Sequence, residues 1–191
     1  MSAPPFSARA ATRDDLPALL ALIGDSVRGL SVGYYTPAQI ESALVHVFGP
    51  DTQLIADRTY YVVEHDERLV AAGGWSRRRT LFGGDQMKET EDPPLDPASE
   101  PARIRAFFVH PAWARRGLGR LLFAECLAAA RAAGFRRLEL AATLPGVPLY
   151  TSLGFAMSER FTVAMPGGLE LPLARMTYHI DDLERPHLTA P

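Results

Sequence analysis

The sequence predicts one mixed α/β domain, and three observations carry that expectation. The chain has 191 residues, a length that suits a single core, since domains usually run about 100–200 residues. Apolar residues recur at helical spacing near the start, but from Thr59 onward they come in β-branched and aromatic runs. The middle of the chain reads strand, glycine turn, long helix, strand, which makes a βαβ unit with two parallel strands. Hydrophobic residues at 47% and charged residues at 22% match a globular composition and exclude wholesale disorder.

Taken in order, residues 7–11 read as a short first strand. Thr12-Arg13-Asp14-Asp15 reads as a capping box that opens a helix with Leu16, Leu19, Leu20, Ile23 and Val27 at helical spacing, stopped at Gly29. Thr36-Pro37-Ala38-Gln39 repeats the start signal, with Pro37 at the first helical position, and Ile40, Leu44, Val47 and Phe48 continue that helix. TYYVVEH (59–65) is a strand, Asp66-Glu67 a turn, and 69–76 its hairpin partner. Gly73-Gly74 within that run marks a bulge or a close approach of another chain. Residues 83–101 form one long irregular stretch, acidic and broken by Pro93, Pro94 and Pro97. It reads as a flexible acidic loop inside the domain.

Residues 103–109 (RIRAFFV) are a strand. The turn AWARRGLGR follows, then a helix whose apolar face includes Leu118, Leu121, Leu122, Cys126 and Ala129, capped by Gly134. RRLELAAT (136–143) is the parallel partner strand, 145–153 a short helix ended by Gly154, and 155–165 with 169–180 a closing hairpin turned at Pro166-Gly167-Gly168. The last residues read as a tail.

Composition narrows the function. Twenty Lys and Arg stand against 22 Asp and Glu, a net charge of −2, which argues against an electrostatically driven nucleic-acid binder. The single Cys126 excludes an internal disulfide and the disulfide-rich secreted class. The start has no apolar core of signal-peptide length, and no run approaches about 18 apolar residues; no membrane association and a cytoplasmic location are expected. No His, Cys, Asp and Glu set has metal-ligand spacing, so no metal is expected.

The informative segment is VHPAWARRGLGRLL (109–122). A helix start leaves about four backbone N–H groups without intrahelical partners, and with the helix dipole these make an anion site. Gly117 and Gly119 let the backbone approach a phosphate, and Arg115, Arg116 and Arg120 add positive charge. The Rossmann pattern needs a third glycine, and a P-loop needs Gly-Lys followed by Ser or Thr. Neither is present.

These residues resemble the GNAT superfamily of acyl-CoA-dependent N-acetyltransferases. Two linked motifs carry the resemblance: Val109-His110-Pro111 with Arg116-Gly117-Leu118-Gly119-Arg120, and Leu149-Tyr150-Thr151-Ser152-Leu153-Gly154-Phe155. They are separated by one long helix and one strand, as in the family. The close match covers 103–155, taken as the acetyl-CoA-binding core of a single N-acetyltransferase domain over 1–191. The sequence departs from the family at Ala114, where the loop usually has Gln or Arg, and at Thr143, where Asn often stands.

The resemblance implies a mixed, mostly antiparallel sheet with a splayed parallel pair, flanked by helices. It implies acetyl-CoA as cosubstrate, held by Phe107, Phe108, Val109, Arg115, Arg116, Gly117, Leu118, Gly119, Arg120 and Thr143. The acetyl group passes directly to a small-molecule or peptide amine, and Tyr150 takes the position of the general acid. It also implies a homodimer as one possible assembly. Phe107 and Val109 are expected to face one side of their strand and Phe108 the other.

The chemistry asks for a neutral amine, a donor to the thioester oxygen, and a proton for the leaving thiolate. A phenol with an ordinary pKa of about 10 stays protonated at neutral pH, which suits the last task. His110, Glu139 and Glu64 are candidate bases, and none is assigned. On the acceptor side, Tyr34, Tyr35 and Trp75 are candidate pocket residues, and the acidic loop is a candidate for steering a cationic amine. Ordinary packing accounts equally for these aromatics, and a solvated loop for the acidic run. The rival function is a non-catalytic acyl-CoA-binding or sensing module; a nucleic-acid-associated protein is disfavoured by the charge.

Overall fold

The computed structural model describes residues 6–88 and 92–180. The expectations on the first residues, on Glu89 and Glu91, and on the tail beyond Ile180 lie outside the described residues. Strands β1 (Ala8–Ala10), β2 (Tyr60–His65), β3 (Arg68–Ser76), β4 (Ala102–Val109), β5 (Arg137–Thr143), β6 (Ala156–Met165) and β7 (Leu169–His179) form one sheet in the order β1-β2-β3-β4-β5-β7-β6. Only β4 and β5 run parallel. The helices are α1 (Leu16–Leu30), α2 (Pro37–His46), α3 (Thr52–Ala56), α4 (Leu118–Ala132) and α5 (Val147–Ser152).

Alternation along the strands sorts these helices to two faces. Val62 and Ala72 pack with Leu19 and Leu22 of α1 and Leu54 of α3, while Val63 and Ala71 pack with Leu118 and Leu122 of α4. Leu173 meets α1 and α2; its neighbour Ala174 faces the cluster of α4 and α5. The faces therefore carry α1–α3 and α4–α5 respectively.

Helix starts follow the expected chemistry. Thr12 N–H donates to Asp15 Oδ2 at 2.7 Å, and Thr36 Oγ1 accepts from Gln39 N–H at 3.2 Å. Gly29 is a correction: α1 runs on to Leu30, and a methyl group at Gly29 would collide with Pro111. That glycine lets the connection after β4 lie against α1. Leu20 points to solvent despite its spacing, and Leu22 takes the core position instead. Helix α3, capped by Asp51 through Gln53 N–H and Leu54 N–H, has five residues, too few for a periodic signal.

The sheet opens between β4 and β5, which pair only at Ala102↔Leu138 and Arg103↔Glu139. Beyond that point β4 continues without β5. Within it Ala106 has a left-handed φ of 55°, opposite the register shift between Ala72 and Gly74 of β3. The bulge changes the strand's phase by one residue. Ala102 and Ile104 face the α4–α5 side before it; Phe107 and Val109 pack there after it, and Phe108 packs on the α1 side. Gly73 is needed here, because a Cβ on it would sit 2.7 Å from the Phe107 ring.

The described residues of the loop between β3 and β4 are tied to the body. Leu95 is buried and its N–H donates to Arg77 O at 2.7 Å. Asp92 Oδ1 accepts from Thr80 N–H at 2.8 Å, Asp85 accepts from Thr52 N–H, and Lys88 pairs with Asp51.

Candidate active site

A cleft of about 770 Å³ fills the opening where β4 and β5 part, within the usual size of a small-molecule site. Residues from both faces line it: Gly119, Leu149 and Tyr150 from the α4–α5 side, Val27, Tyr34 and Phe48 from the other.

The glycine turn forms one wall. Arg115 and Gly117 both take left-handed φ, 66° and 85°, which curls the chain into the start of α4. Gly117 sits at the N-cap, and no side chain caps this 15-residue helix. The first intrahelical bond here is from Leu121 N–H to Gly117 O, at 3.0 Å. The amides of Leu118, Gly119 and Arg120 precede it and have no intrahelical acceptor. The two glycines do different work. Gly117 supplies the φ, and a Cβ there would meet nothing within 4 Å, whereas at Gly119 a Cβ would meet Leu149 Cδ2 at 2.8 Å. Gly119 thus sets how closely α5 approaches α4. The arginines divide as well. Arg115 and Arg120 line the cleft, and Arg120 Nη2 also donates to Ser152 Oγ at 3.1 Å. Arg116 instead lies over the Trp113 ring, 4.6 Å from its centroid.

Strand β4 forms the floor. His110 N–H donates to Val70 O of β3, so by alternation the Phe107 and Val109 amides point the other way, into the split. The Val109 N–H is met there by Ser26 Oγ of α1 at 3.1 Å. Thr143, at the end of β5, lines the cleft but makes no capping hydrogen bond. Tyr150 is buried between Phe107 and Phe155, with ring centroids at 6.1 and 5.7 Å. Burial pushes its phenol above the ordinary value, so it holds its proton throughout the neutral range.

The sequence matches a known family. The model of the Acetyltransferase (GNAT) family matches residues 28–155. The chain belongs to the GNAT acetyltransferase family. Among solved structures, a GCN5-related N-acetyltransferase of Rhodopseudomonas palustris has a TM-score of 0.67 at 18% identity, covering 94% of this chain and 98% of that one. The PaiA N-acetyltransferase of Thermoplasma acidophilum, solved in complex with coenzyme A, scores 0.63 at 13% identity over 92% and 99%. The ribosomal-protein-alanine N-acetyltransferase of Brucella melitensis scores 0.60 at 22% identity over 91% and 99%. These likenesses show a shared fold. No curated protein sequence matches the chain.

The GNAT domain engages its candidate bases elsewhere. His110 Nδ1 accepts from Ala112 N–H at 3.2 Å, and its Nε2 is 3.8 Å from Asp25 Oδ2. Glu139 pairs with Arg103 and Arg175, and Glu64 with Arg9. Among the described residues, no Asp, Glu or His side chain lines the cleft. Of the aromatic candidates, Tyr34 lines it. Tyr35 is a strut: its hydroxyl donates to Pro172 O at 2.7 Å and accepts from Leu144 N–H at 2.9 Å, and burial pushes its pKa up to about 12. Trp75 packs with Phe135 and Leu95 on the α4 face, outside the cleft.

Sequence reasoning missed Ser26 and the wall formed by residues 81–84. It also missed Arg105, buried in β4, whose Nη2 lies 2.9 Å from Asp51 Oδ2. The Arg105 guanidinium donates to Thr80 O and Gly83 O, holding that wall in place. The signal for Arg105 was a charged residue inside an apolar strand. No helix among the described residues is long and apolar enough to cross a membrane.

Proposed function

We propose that this acetyltransferase carries the acetyl group of acetyl-CoA to an amine by direct attack in a ternary complex. One observation carries the reading: α4 opens into the cleft with no capping side chain, between Arg115 and Arg120. Free amides, the helix dipole and two guanidiniums suit a diphosphate. The pantetheine arm would then run along the edge of β4 that β5 leaves open, where the Val109 N–H meets only Ser26 Oγ and the Phe107 N–H faces the split without a strand partner. Leu118, Gly119 and Thr143 line its path; Phe108 backs the strand, and Arg116 acts through Trp113.

The amine nitrogen attacks the thioester carbon, the C–S bond breaks, and the departing sulfur takes a proton from Tyr150. The carbonyl oxygen gains charge and accepts from a backbone N–H of β4 that faces the split; the Val109 N–H serves only by exchanging its bond to Ser26 Oγ. The amine's own proton leaves through water, and the apolar surroundings favour the neutral, nucleophilic form. An acyl-cysteine route lacks support, because Cys126 is fully buried and burial raises its thiol well above the ordinary value.

Two measurements test this. Calorimetry with saturating acetyl-CoA should give binding heat, and none would reject the cosubstrate. Initial rates with both substrates varied should give intersecting lines; parallel lines would reject the ternary complex.

A further inference from the structure

The α1–α2 side of the cleft carries information about the acceptor. Its side chains include Val27, Leu30, Tyr34, Phe48, Leu81 and Phe82, and its polar groups, Ser26 and Ser31, are uncharged. Among the described residues, the only charges lining the cleft are those of Arg115 and Arg120, on the opposite side. We infer that the acceptor is a monoamine with an aromatic or branched apolar body and no second charge. This rests on the reading of the cleft as an acetyl-transfer site.

The nearby carboxylates are committed elsewhere. Asp51 is buried against Lys88 and Arg105, Asp85 accepts from Thr52 N–H, and Glu41 pairs with Arg28 at 2.7 Å. A polyamine, or an amine with a distant second ammonium, would therefore bring a cation against apolar walls where no anion among the described residues lines the cleft. That arrangement costs desolvation without repayment by pairing. An aromatic or branched body gains from the same walls, in proportion to the apolar surface it buries.

The wall is also held in shape. Phe82 leans on Phe161, with ring centroids 5.7 Å apart, and Gly84 N–H donates to Val47 O at 2.9 Å. Arg105 fixes the carbonyls of Thr80 and Gly83 from beneath. The apolar pocket is thus preformed.

The test follows CoA release with 2-phenylethylamine, isopentylamine, putrescine and spermidine as acceptors, alongside acetyl-CoA calorimetry. The expected result is a kcat/KM for 2-phenylethylamine at least about tenfold above that for spermidine, the equivalent of about 1.4 kcal/mol. Tyr34 is half exposed, so Tyr34→Asp leaves the fold intact. It should lower kcat/KM for 2-phenylethylamine and raise it for spermidine. Equal or better use of either polyamine, or no acetylation of either apolar amine, overturns the inference. If acetyl-CoA binds and a polyamine is preferred, the acetyltransferase reading stands and this inference falls; absence of binding heat removes both.

Discussion

Helices α2 and α4 pack on opposite faces of the sheet, and they begin differently. At α2, Thr36 and Gln39 exchange hydrogen bonds, so side chains of the same segment satisfy the helix start. At α4, Gly117 has no side chain to offer, and the amides after it face the cleft. A closed helix start keeps its amides for its own side chains; an open one leaves them available to an anion. The charges follow the same division, with arginines beside α4 and apolar side chains beside α2. In the proposed function the difference separates a donor side from an acceptor side, and each can be broken alone.

The largest effect is expected at the junction of the two sides. Tyr150→Phe should lower kcat at least about tenfold, within the range for losing a general acid, while acetyl-CoA affinity by calorimetry stays unchanged. Unchanged kcat would reject Tyr150 as the acid. Burial disfavours the phenolate and so raises the pKa; the wild-type kcat should show no falling limb from Tyr150 up to about pH 10.

On the donor side, Gly117→Val forces a β-branched residue into a left-handed φ of 85°. The strain is about 1–2 kcal/mol, and relaxing it turns the open amides away. Acetyl-CoA affinity should fall about tenfold or more. Wild-type affinity in a folded variant, checked by thermal melting, would mean that the amides do not hold the diphosphate.

On the acceptor side, Arg105→Met removes the anchor of residues 80–83. The amine KM should rise by about threefold or more, from the loss of charge-assisted hydrogen bonds worth about 1.5–3 kcal/mol each, while acetyl-CoA affinity holds. A fall confined to acetyl-CoA affinity would erase the division between the sides. The smallest effect belongs to the closed helix start. Thr36→Ala should cost about 1 kcal/mol of stability in denaturant unfolding and leave both substrates' binding as it was; a loss of acetyl-CoA binding would show that α2 is not inert.

Legibility followed the range of the interactions. The capping boxes, the Asp66-Glu67 turn, the glycine turn and the Tyr150 helix are written in consecutive residues, and each is readable from them. Gly29 and Trp75 mislead because their partners, Pro111 and Phe135, lie far along the chain. The spacing at Leu20 is helical but cannot tell that Leu22 faces the sheet. Arg116 shares a motif with Arg115 and Arg120, yet Trp113 draws it aside. The acceptor wall is least legible, since Val27, Phe48 and Phe82 look in sequence like ordinary core.

The order of residues alone is enough to set the mixed fold, the βαβ unit and a helix start left open by glycine, because hydrogen bonds, caps and left-handed turns depend on neighbours a few positions apart. Where β4 leaves β5, which arginines reach the opening, and the lack of charge on its far wall are settled by folding. Those features depend on which distant segments are brought side by side, and local pattern does not encode that meeting.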